Sequence, residues 1–283
     1  MDDPRPPTLL SRFGREGLSP RKGLGQHFLT DPRLLDAIVT AAELPSNAVA
    51  IEVGPGPGTL TAALAPKVQR LIAVELDEQL AALLASIYED WGHVHIIQGD
   101  ALKFRPRDLL AQTGGEAPYF VLGNIPYYIT SPLLRHFLEA DFRPERMVFT
   151  LQLDVARRIV AMPPHMSLLA ISVQVYARPT IVRKLPPGAF TPPPKVHSAV
   201  LRLDIRPQPL VPAHLRDSFF RTVRAGFAQK RKTLRNSLAA GLHLSPPMIA
   251  DALARAGLSP RQRPQELTIA QWLQLVTILE DLQ

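Results

Sequence analysis

The segment Asn124-Ile125-Pro126-Tyr127-Tyr128 combines the residue types that could hold a planar base bearing an exocyclic amine. It follows the apolar run 119–122, which is typical of a strand, so its polar groups fall at the carboxyl end of that strand, where open α/β sheets bind ligands. The amide oxygen of Asn124 and the backbone carbonyl of Pro126 can accept the amine protons while the ring stacks on Tyr127. A strand end with a proline turn and core tyrosines is the alternative interpretation, and the rest of the chain must decide.

A second candidate site is the glycine loop Gly54-Pro55-Gly56-Pro57-Gly58, between a predicted buried strand at 49–53 and a helix that begins at Thr59. Its G-x-G-x-G spacing differs from the dinucleotide fingerprint, in which the third glycine comes one residue later. The loop therefore favours a cofactor without a pyrophosphate, such as S-adenosyl-L-methionine (AdoMet), whose amino-acid end can approach the backbone closely.

Two acidic residues end the next two predicted strands. Glu75 lies 21 residues after Gly54, the separation at which an acidic side chain reaches ribose hydroxyls in nucleotide-binding βαβ units. Asp100 follows the predicted strand 94–98 and could accept the adenine amine. A solvated Glu and an Asp that only caps the next helix are the simpler alternatives. The occurrence of Glu75 and Asp100 at successive strand ends, however, favours one shared crevice.

The alternation of strands and helices predicts an α/β fold. Asp31 and Pro32 can cap a helix that carries apolar residues on one face. Strands at 49–53, 71–75, 94–98 and 119–124 then alternate with helices, which implies a mainly parallel sheet covered on both faces. Further strands are predicted at 146–151, 171–182 and 197–205.

The pattern becomes helical after Pro212. Caps at Ser245-Pro246 and Thr268 predict two helices, and the second presents Ile269, Trp272, Leu273, Val276 and Leu279 on one face. We therefore expect three regions: an N-terminal arm at 1–20, a catalytic domain at 21–209 and a small helical domain at 210–283.

Composition limits the functional classes. The chain of 283 residues has 46% hydrophobic residues and lacks cysteine, which excludes disulfides, thiol catalysis and Cys-type zinc sites, and we predict no metal site. We find no apolar run near the roughly 20 residues needed to span a bilayer, and the first twenty residues lack the apolar core of a signal peptide. We expect a cytoplasmic protein, monomeric and without a membrane partner.

The charge balance favours a polyanionic partner. The net charge is +7 and the pI is near 10. Residues 214–240 hold seven cations and a single acid, Asp217. The cations are Arg216, Arg221, Arg224, Lys230, Arg231, Lys232 and Arg235. A solvated helix face is the usual explanation for such a run.

Taken together, these motifs resemble those of the ribosomal small-subunit (16S) RNA adenine N6,N6-dimethyltransferases. The resemblance runs from about Arg21 to the C-terminus and rests on several independent segments in the same order. They are R-K-G-L-G-Q-H-F-L at 21–29, E-V-G-P-G-P-G-T-L-T at 52–61, V-E-L-D at 74–77, G-D-A at 99–101, N-I-P-Y-Y-I-T-S-P at 124–132, P-P-G-A-F-T-P-P-P-K-V-H-S-A-V at 186–200 and Q-K-R-K-T-L-R-N-S-L at 229–238.

The resemblance implies a Rossmann-like class I methyltransferase fold with a seven-stranded sheet. It also implies AdoMet as the methyl donor and successive N6 methylation of two adjacent adenines in the 3′-terminal hairpin of 16S rRNA, within the small subunit or its precursor. The cofactor residues it implies are His27, Leu29, Gly54, Glu75, Asp100 and Asn124. The catalytic residues are Asn124 and Pro126 as acceptors, with Tyr127 and Phe190 on the two faces of the base. The RNA-binding residues are Arg221, Arg224, Lys230, Arg231, Lys232 and Arg235.

Three other functions remain to be compared. The large-subunit (23S) rRNA adenine methyltransferases of macrolide resistance share the N-x-P-Y pocket, although the segments at 192–196 and 229–236 favour the small-subunit family. A ribosome-assembly factor could keep the fold without catalysis, but Glu75, Asp100, Asn124 and Tyr127 are all present. A DNA adenine methyltransferase would more often carry N-P-P-Y or D-P-P-Y and a separate target-recognition domain, which we do not identify here.

Overall fold

The computed structural model describes residues 8, 20–21, 25–111, 118–229 and 231–282. Its contacts divide the chain into two compact units, which we call the sheet unit (1–156 and 178–205) and the helical unit (157–177 and 206–283). Residues 157–177 therefore cluster with the C-terminal helices, and the domain limits expected from the sequence stay a prediction. The expected arm at 1–20 lies outside the described residues except for Thr8 and Pro20.

Nine strands occur within the described residues. They are β1 (Phe28–Leu29), β2 (Val49–Val53), β3 (Arg70–Glu75), β4 (Val94–Gln98), β5 (Tyr119–Asn124), β6 (Arg146–Gln152), β7 (Ala177–Leu185), β8 (Phe190–Thr191) and β9 (Ser198–Ile205). Seven of them form one sheet in the order β4-β3-β2-β5-β6-β9-β7, and β1 pairs with β8 separately. The pairings from β4 through β6 are parallel and β9 is antiparallel to β6, so the prediction of a mainly parallel seven-stranded sheet is confirmed.

The helices of the sheet unit alternate with these strands. They are α1 (Pro32–Ala42), α2 (Thr59–Leu64), α3 (Glu78–Ile87), α4 (Pro106–Ala111) and α5 (Thr130–Leu138). A further helix, α6 (Leu153–Ile159), crosses the boundary between the units, and the helical unit contains α7 (Leu168–Gln174), α8 (Arg216–Phe227), α9 (Leu234–Leu242), α10 (Pro246–Arg255) and α11 (Ile269–Asp281). None of the described helices is both long and apolar enough to cross a membrane.

Helix α1 forms as the sequence predicts. The side chain of Asp31 accepts a hydrogen bond of 2.9 Å from the backbone nitrogen of Arg33, with Pro32 in the first turn. The apolar face is buried against the sheet and comprises Leu34, Leu35, Ile38, Val39 and Ala42. Burial of about 1.5–3 kcal/mol per large aliphatic side chain stabilises this layer.

Charged groups fasten the end of α1 to the amino end of β6. Arg146 donates to the carbonyl of Ala42 at 2.7 Å and pairs with Glu43 and Asp204. Arg202 pairs with the same two carboxylates. This network lies at the edge of the sheet opposite the carboxyl ends of the parallel strands, so it supports the fold without entering the candidate site.

The strand predicted at 171–182 is partly wrong. Residues 168–174 form α7, and the strand begins only at Ala177. The β-branched run favours a strand locally, but Ser167 caps the helix by accepting from the amide of Ala170 at 3.1 Å. Four residues of α7 are buried, Ala170, Ile171, Val173 and Gln174, so tertiary packing overrides local propensity.

In α11 the buried face differs from the prediction at Ile269, which is only partly buried, and at Leu273 and Leu275. Trp272, Val276 and Leu279 are buried as expected, whereas Leu275 is buried and Leu273 only partly so. The caps predicted at Ser245 and Thr268 are both present.

Candidate active site

A cavity of about 230 Å³ lies in the sheet unit at the carboxyl ends of β2, β3, β4 and β5. Of the nine residues predicted to bind cofactor or substrate base, all except Phe190 line it. They are His27, Leu29, Gly54, Glu75, Asp100, Asn124, Pro126 and Tyr127. Parallel strands bring residues that are far apart in sequence to one edge, as the strand-end pattern predicts.

The glycine loop after β2 provides a backbone cradle. Gly54 has a φ of +68°, and a Cβ there would meet no atom within 4 Å, so a side chain would fill open space beside the loop. At Gly56, φ is +56° and a Cβ would lie 2.9 Å from the ring of Phe28. Both conformations favour glycine. A ligand with an amino-acid end fits this cradle because nothing separates it from the backbone at Gly54.

Glu75 is held rigidly at the end of β3. Its carboxylate accepts hydrogen bonds from the backbone nitrogens of Gly56 at 2.9 Å and Asp77 at 2.8 Å. Burial raises the pKa of Glu75 above its usual range, and these two amides oppose the shift. Because each carboxylate oxygen can accept more than one hydrogen bond, the oriented group retains capacity for ligand hydroxyls.

Asp100 both caps the turn that follows β4 and lines the cavity. Its Oδ1 caps the turn after β4 by accepting from the backbone nitrogen of Leu102 at 3.0 Å. The cap uses one of the two carboxylate oxygens, and the residue also lines the cavity. Capping therefore orients the side chain without using up its acceptors.

Glu52 is a buried carboxyl that sequence reasoning missed. It is 1% exposed in β2 and lines the cavity. Burial raises its pKa to about 8, with a further contribution from Glu75. Its Oε2 atom has no hydrogen-bond partner among the described residues. A signal existed in the sequence, because a charged residue inside the apolar strand V-A-I-E-V is unusual. A carboxyl with this pKa is mostly protonated near pH 7, so Glu52 adds a neutral polar group to the cavity beside Glu75 and Asp100.

The side chain of Asn124 is oriented by the N-terminal segment. Its Nδ2 atom donates to the backbone carbonyl of His27 at 2.6 Å. The imidazole of His27 is hydrogen-bonded through Nδ1 to the carbonyl of Pro192 at 2.7 Å and stacks on Tyr127 with a centroid distance of 6.1 Å. Oδ1 of Asn124 is therefore the end of the amide that is free to accept from a ligand.

Tyr127 is anchored through its hydroxyl group. Its hydroxyl lies 2.7 Å from Oγ of Ser198, which is fully buried in β9. Burial raises the pKa of Tyr127, so the ring remains a neutral phenol near pH 7.

The carbonyl of Pro126 accepts one hydrogen bond, from the backbone nitrogen of Ile129 at 3.1 Å, and its second lone pair is available.

Phe190 lies in β8 next to the N-terminal segment, and its role on the second face of the base stays a prediction. It is 3% exposed in β8, where it pairs with Leu29 of β1 and joins the apolar core. It does not line the cavity. The ring next to Tyr127 is that of His27, a contact that no sequence pattern indicated.

The described cations predicted to bind RNA are all exposed on the helical unit. Arg221 and Arg224 lie on the exposed face of α8, one turn apart. Arg231 and Lys232 are exposed in the connection to α9, and Arg235 is exposed in that helix. Lys230 lies outside the described residues.

The comparisons with known proteins agree on one family. A family model described as ribosomal RNA adenine dimethylase matches residues 17–281. A curated relative from Dehalococcoides mccartyi (strain CBDB1), named ribosomal RNA small subunit methyltransferase A, is 43% identical over 258 residues, which cover 91% of this chain and 88% of that protein.

Two solved structures resemble the chain over most of its length. The 23S rRNA methyltransferase ErmE is 27% identical with a TM-score of 0.71, covering 89% of this chain and 99% of that one. A dimethyladenosine transferase from Plasmodium falciparum is 23% identical with a TM-score of 0.75, covering 90% and 98%. This likeness confirms the predicted Rossmann-like methyltransferase fold with a helical C-terminal part.

Proposed function

Because this chain belongs to the ribosomal RNA adenine dimethylase family, we propose that it transfers methyl groups from AdoMet to N6 of two adjacent adenines in the 3′-terminal hairpin of 16S rRNA. The substrate is the small ribosomal subunit or its precursor, and the product is N6,N6-dimethyladenosine. The protein acts in the cytoplasm as a monomer and contributes to small-subunit biogenesis.

One observation carries this proposal. The amide of Asn124 donates its hydrogen to the His27 carbonyl, and so its Oδ1 remains as an acceptor beside the free lone pair of the Pro126 carbonyl. Two neutral acceptors next to the Tyr127 ring suit a planar base with an exocyclic amine. A cavity built for a carboxylate or a phosphate would present donors instead.

The cavity also suits AdoMet. The cofactor would lie with its amino-acid end at the cradle of Gly54, its ribose hydroxyls at Glu75 and its adenine at Asp100. When bound, AdoMet supplies a methyl group on a positively charged sulfur. The carboxyl groups at the strand ends favour a cationic ligand, and His27 and Leu29 line the same cavity.

The residues around the target amine explain how it becomes reactive. An adenine amine is a poor nucleophile because its lone pair is delocalised into the ring. Acceptance of its protons by Asn124 and Pro126 draws the nitrogen toward tetrahedral geometry and frees the pair. No strong general base is required, since alignment of the reacting atoms can contribute about 7–11 kcal/mol.

The target base must leave its stack to reach this pocket. Unstacking costs a few kcal/mol, and the face of Tyr127 offsets part of it. Tyr127 would stack on one face of the base, and Phe190 would close the opposite face, as the sequence predicts. For a second methyl, the singly methylated amine must rotate and give up one hydrogen bond, which calls for a pocket with spare room.

The helical unit provides the contact with the RNA backbone. The exposed cations Arg221, Arg224, Arg231, Lys232 and Arg235, together with Lys230, would bind phosphate groups. This electrostatic contact is independent of sequence and positions the substrate.

Methyl transfer from labelled AdoMet to unmodified small subunits tests the proposal, with nucleoside analysis of the product. We expect dimethyladenosine with the wild type and none with Asn124→Ala. Asn47→Ala serves as the matched control because Asn47 is exposed before β2, at the opposite edge of the sheet. A wild-type protein that binds the subunit but transfers nothing to it or to bare rRNA would instead be an assembly factor.

A second candidate rests on the similarity to ErmE, which is 27% identical over most of the chain. In that case the substrate would be an adenine of 23S rRNA. The higher identity of 43% to a small-subunit enzyme favours the first function. The same assay with large-subunit RNA as acceptor distinguishes the two.

A further inference from the structure

The sheet unit contains a strip of positive charge outside the helical unit. We define the basic strip as residues 178–197, which comprise most of β7, the proline-rich connection and β8. It carries Arg178, Arg183, Lys184 and Lys195, and the sequence has neither Asp nor Glu between Asp154 and Asp204. The charged residues of the strip are therefore all positive, with three in β7 and one in the connection beyond β8.

These four cations are not used to build the fold. All four are exposed, and none forms a hydrogen bond or an ion pair through its side chain with another residue of the described ranges. In contrast, Arg146 and Arg202 of the same unit are enclosed in the network with Glu43 and Asp204. The strip thus presents unneutralised charge to the solvent.

The strip is joined to the candidate active site at several points. Phe190 and Thr191 pair with Leu29 and Phe28 of β1, which line the cavity. The carbonyl of Pro192 is hydrogen-bonded to His27. Ser198, which directly follows the strip, holds the hydroxyl of Tyr127. The segment that carries the four cations is therefore continuous with the residue that holds the ring of Tyr127 in place.

Charge on an edge strand has a simpler explanation that must be weighed. β7 is the last strand of the sheet, and exposed edges are often protected from aggregation by lysine or arginine. Edge protection explains Arg183 and Lys184. It does not explain Lys195, which lies in the connection beyond the strand, or the lack of acids throughout the region.

We propose that the basic strip binds phosphate groups of the RNA that flank the target adenines, as a second backbone contact within the sheet unit. This inference rests on the proposed function. From Arg178 to Lys184 the strand extends about 20 Å, long enough to follow several phosphates of one strand. A contact on this side of the pocket would fix the nucleotides next to the flipped base, whereas the helical unit holds the RNA elsewhere.

The test compares the salt dependence of RNA binding. We would titrate a fragment of unmodified 16S rRNA containing the 3′-terminal hairpin at several KCl concentrations, using the wild type and Arg183→Gln/Lys184→Gln. Each lost phosphate contact reduces the steepness of the log–log plot by about 1, so we expect a change of about 2 and a Kd about tenfold higher at low salt. AdoMet binding, measured by calorimetry, should be unchanged.

The matched control is Lys67→Gln/Arg70→Gln. It removes the same charge at the amino end of β3, the edge of the sheet opposite the cavity, and should leave the slope near that of the wild type. Equal slopes in the two double variants would overturn the inference. Aggregation of Arg183→Gln/Lys184→Gln with an unchanged slope would assign these cations to edge protection alone.

The outcomes for the inference and for the proposed function are separable. If the wild type methylates the subunit and the strip variant binds the RNA fragment with the salt slope of the wild type, the inference fails and the function stands. If the wild type neither binds the fragment nor methylates the subunit, the function fails, and the strip loses its proposed partner with it.

Discussion

The side-chain amide of Asn124 donates a hydrogen bond of 2.6 Å to the backbone carbonyl of His27, 97 residues earlier in the chain. Because a carbonyl oxygen only accepts, the contact determines which end of the amide faces the N-terminal segment and which end faces the ligand. The backbone at His27 thus orients the amide of Asn124 so that its Oδ1 can accept a proton of the target amine.

This relationship predicts that Asn124→Asp is as damaging as Asn124→Ala. A carboxylate would set oxygen against oxygen at His27, because an ionised Asp has no hydrogen to donate. We expect kcat to fall by about 100-fold or more in both variants, with the Kd for RNA within about threefold, since the lost interaction strengthens in the transition state. Single-turnover methylation separates the two quantities. An Asn124→Asp variant within tenfold of the wild type would contradict the assigned orientation.

The hydrogen bond between Tyr127 and Ser198 predicts that the effects of removing either hydroxyl are not additive. Tyr127→Phe and Ser198→Ala each remove the same contact, worth about 1 kcal/mol, so the double variant should resemble either single one. Tyr127→Ala should lose about 5- to 150-fold in affinity for the RNA, because stacking is worth about 1–3 kcal/mol per base. A double-mutant cycle on kcat/KM measures the coupling. Fully additive losses would mean that Ser198 does not orient the ring.

The exposed cations between α8 and α9 predict a salt-dependent loss of binding. Arg231→Gln/Lys232→Gln should reduce the steepness of the salt dependence of RNA affinity by about 2. Arg255→Gln/Arg261→Gln removes equal charge from exposed positions of the same unit outside the basic segment. Equal slopes for these two double variants would remove the segment from the RNA-binding surface.

The buried carboxyl of Glu52 predicts that stability falls as the pH rises. Its pKa is raised to about 8 in the folded protein, against 4.5 ordinarily. The folded state therefore binds more protons than the unfolded state between these values, and the stabilisation present below about pH 4.5 is lost as the pH rises through about 8. Glu52→Gln cannot ionise, so its free energy of unfolding should exceed that of the wild type at pH 9 by a few kcal/mol. Denaturant unfolding at several pH values measures this difference, and identical pH profiles would contradict it.

The close approach of Trp272 to Gly226 predicts that Gly226→Ala lowers the stability of the protein, the opposite of the usual effect of this substitution in a helix. Gly→Ala within a helix normally stabilises by about 1 kcal/mol. At Gly226 in α8 a Cβ would overlap the ring of Trp272, which is fully buried, and such overpacking costs about 1–3 kcal/mol. We expect a lower Tm for Gly226→Ala, while Gly188→Ala, where a Cβ meets no atom within 4 Å, should change Tm little. A higher Tm for Gly226→Ala would mean that the indole moves aside at little cost.

The sequence by itself determined the sheet and the ends of its strands. Apolar runs bounded by glycine and acidic residues located β2 to β5, and the caps at Asp31 and Ser245 located two helices, because these signals depend on neighbouring residues only. The parallel order then follows from the alternation of strands and helices, so Gly54, Glu75, Asp100 and Asn124 could be assigned to one crevice.

Only the tertiary structure decided the contacts made across long sequence separations. The bond from Asn124 to His27, the anchoring of Tyr127 by Ser198 and the burial of Phe190 in β8 all depend on how separate segments pack, and periodicity carries no information about such pairs. The helix at 168–174 is likewise decided by tertiary packing, because its burial outweighs the strand preference of its β-branched residues. Local chemistry thus identified the groups that can bind and react, whereas packing set the direction in which each of them points.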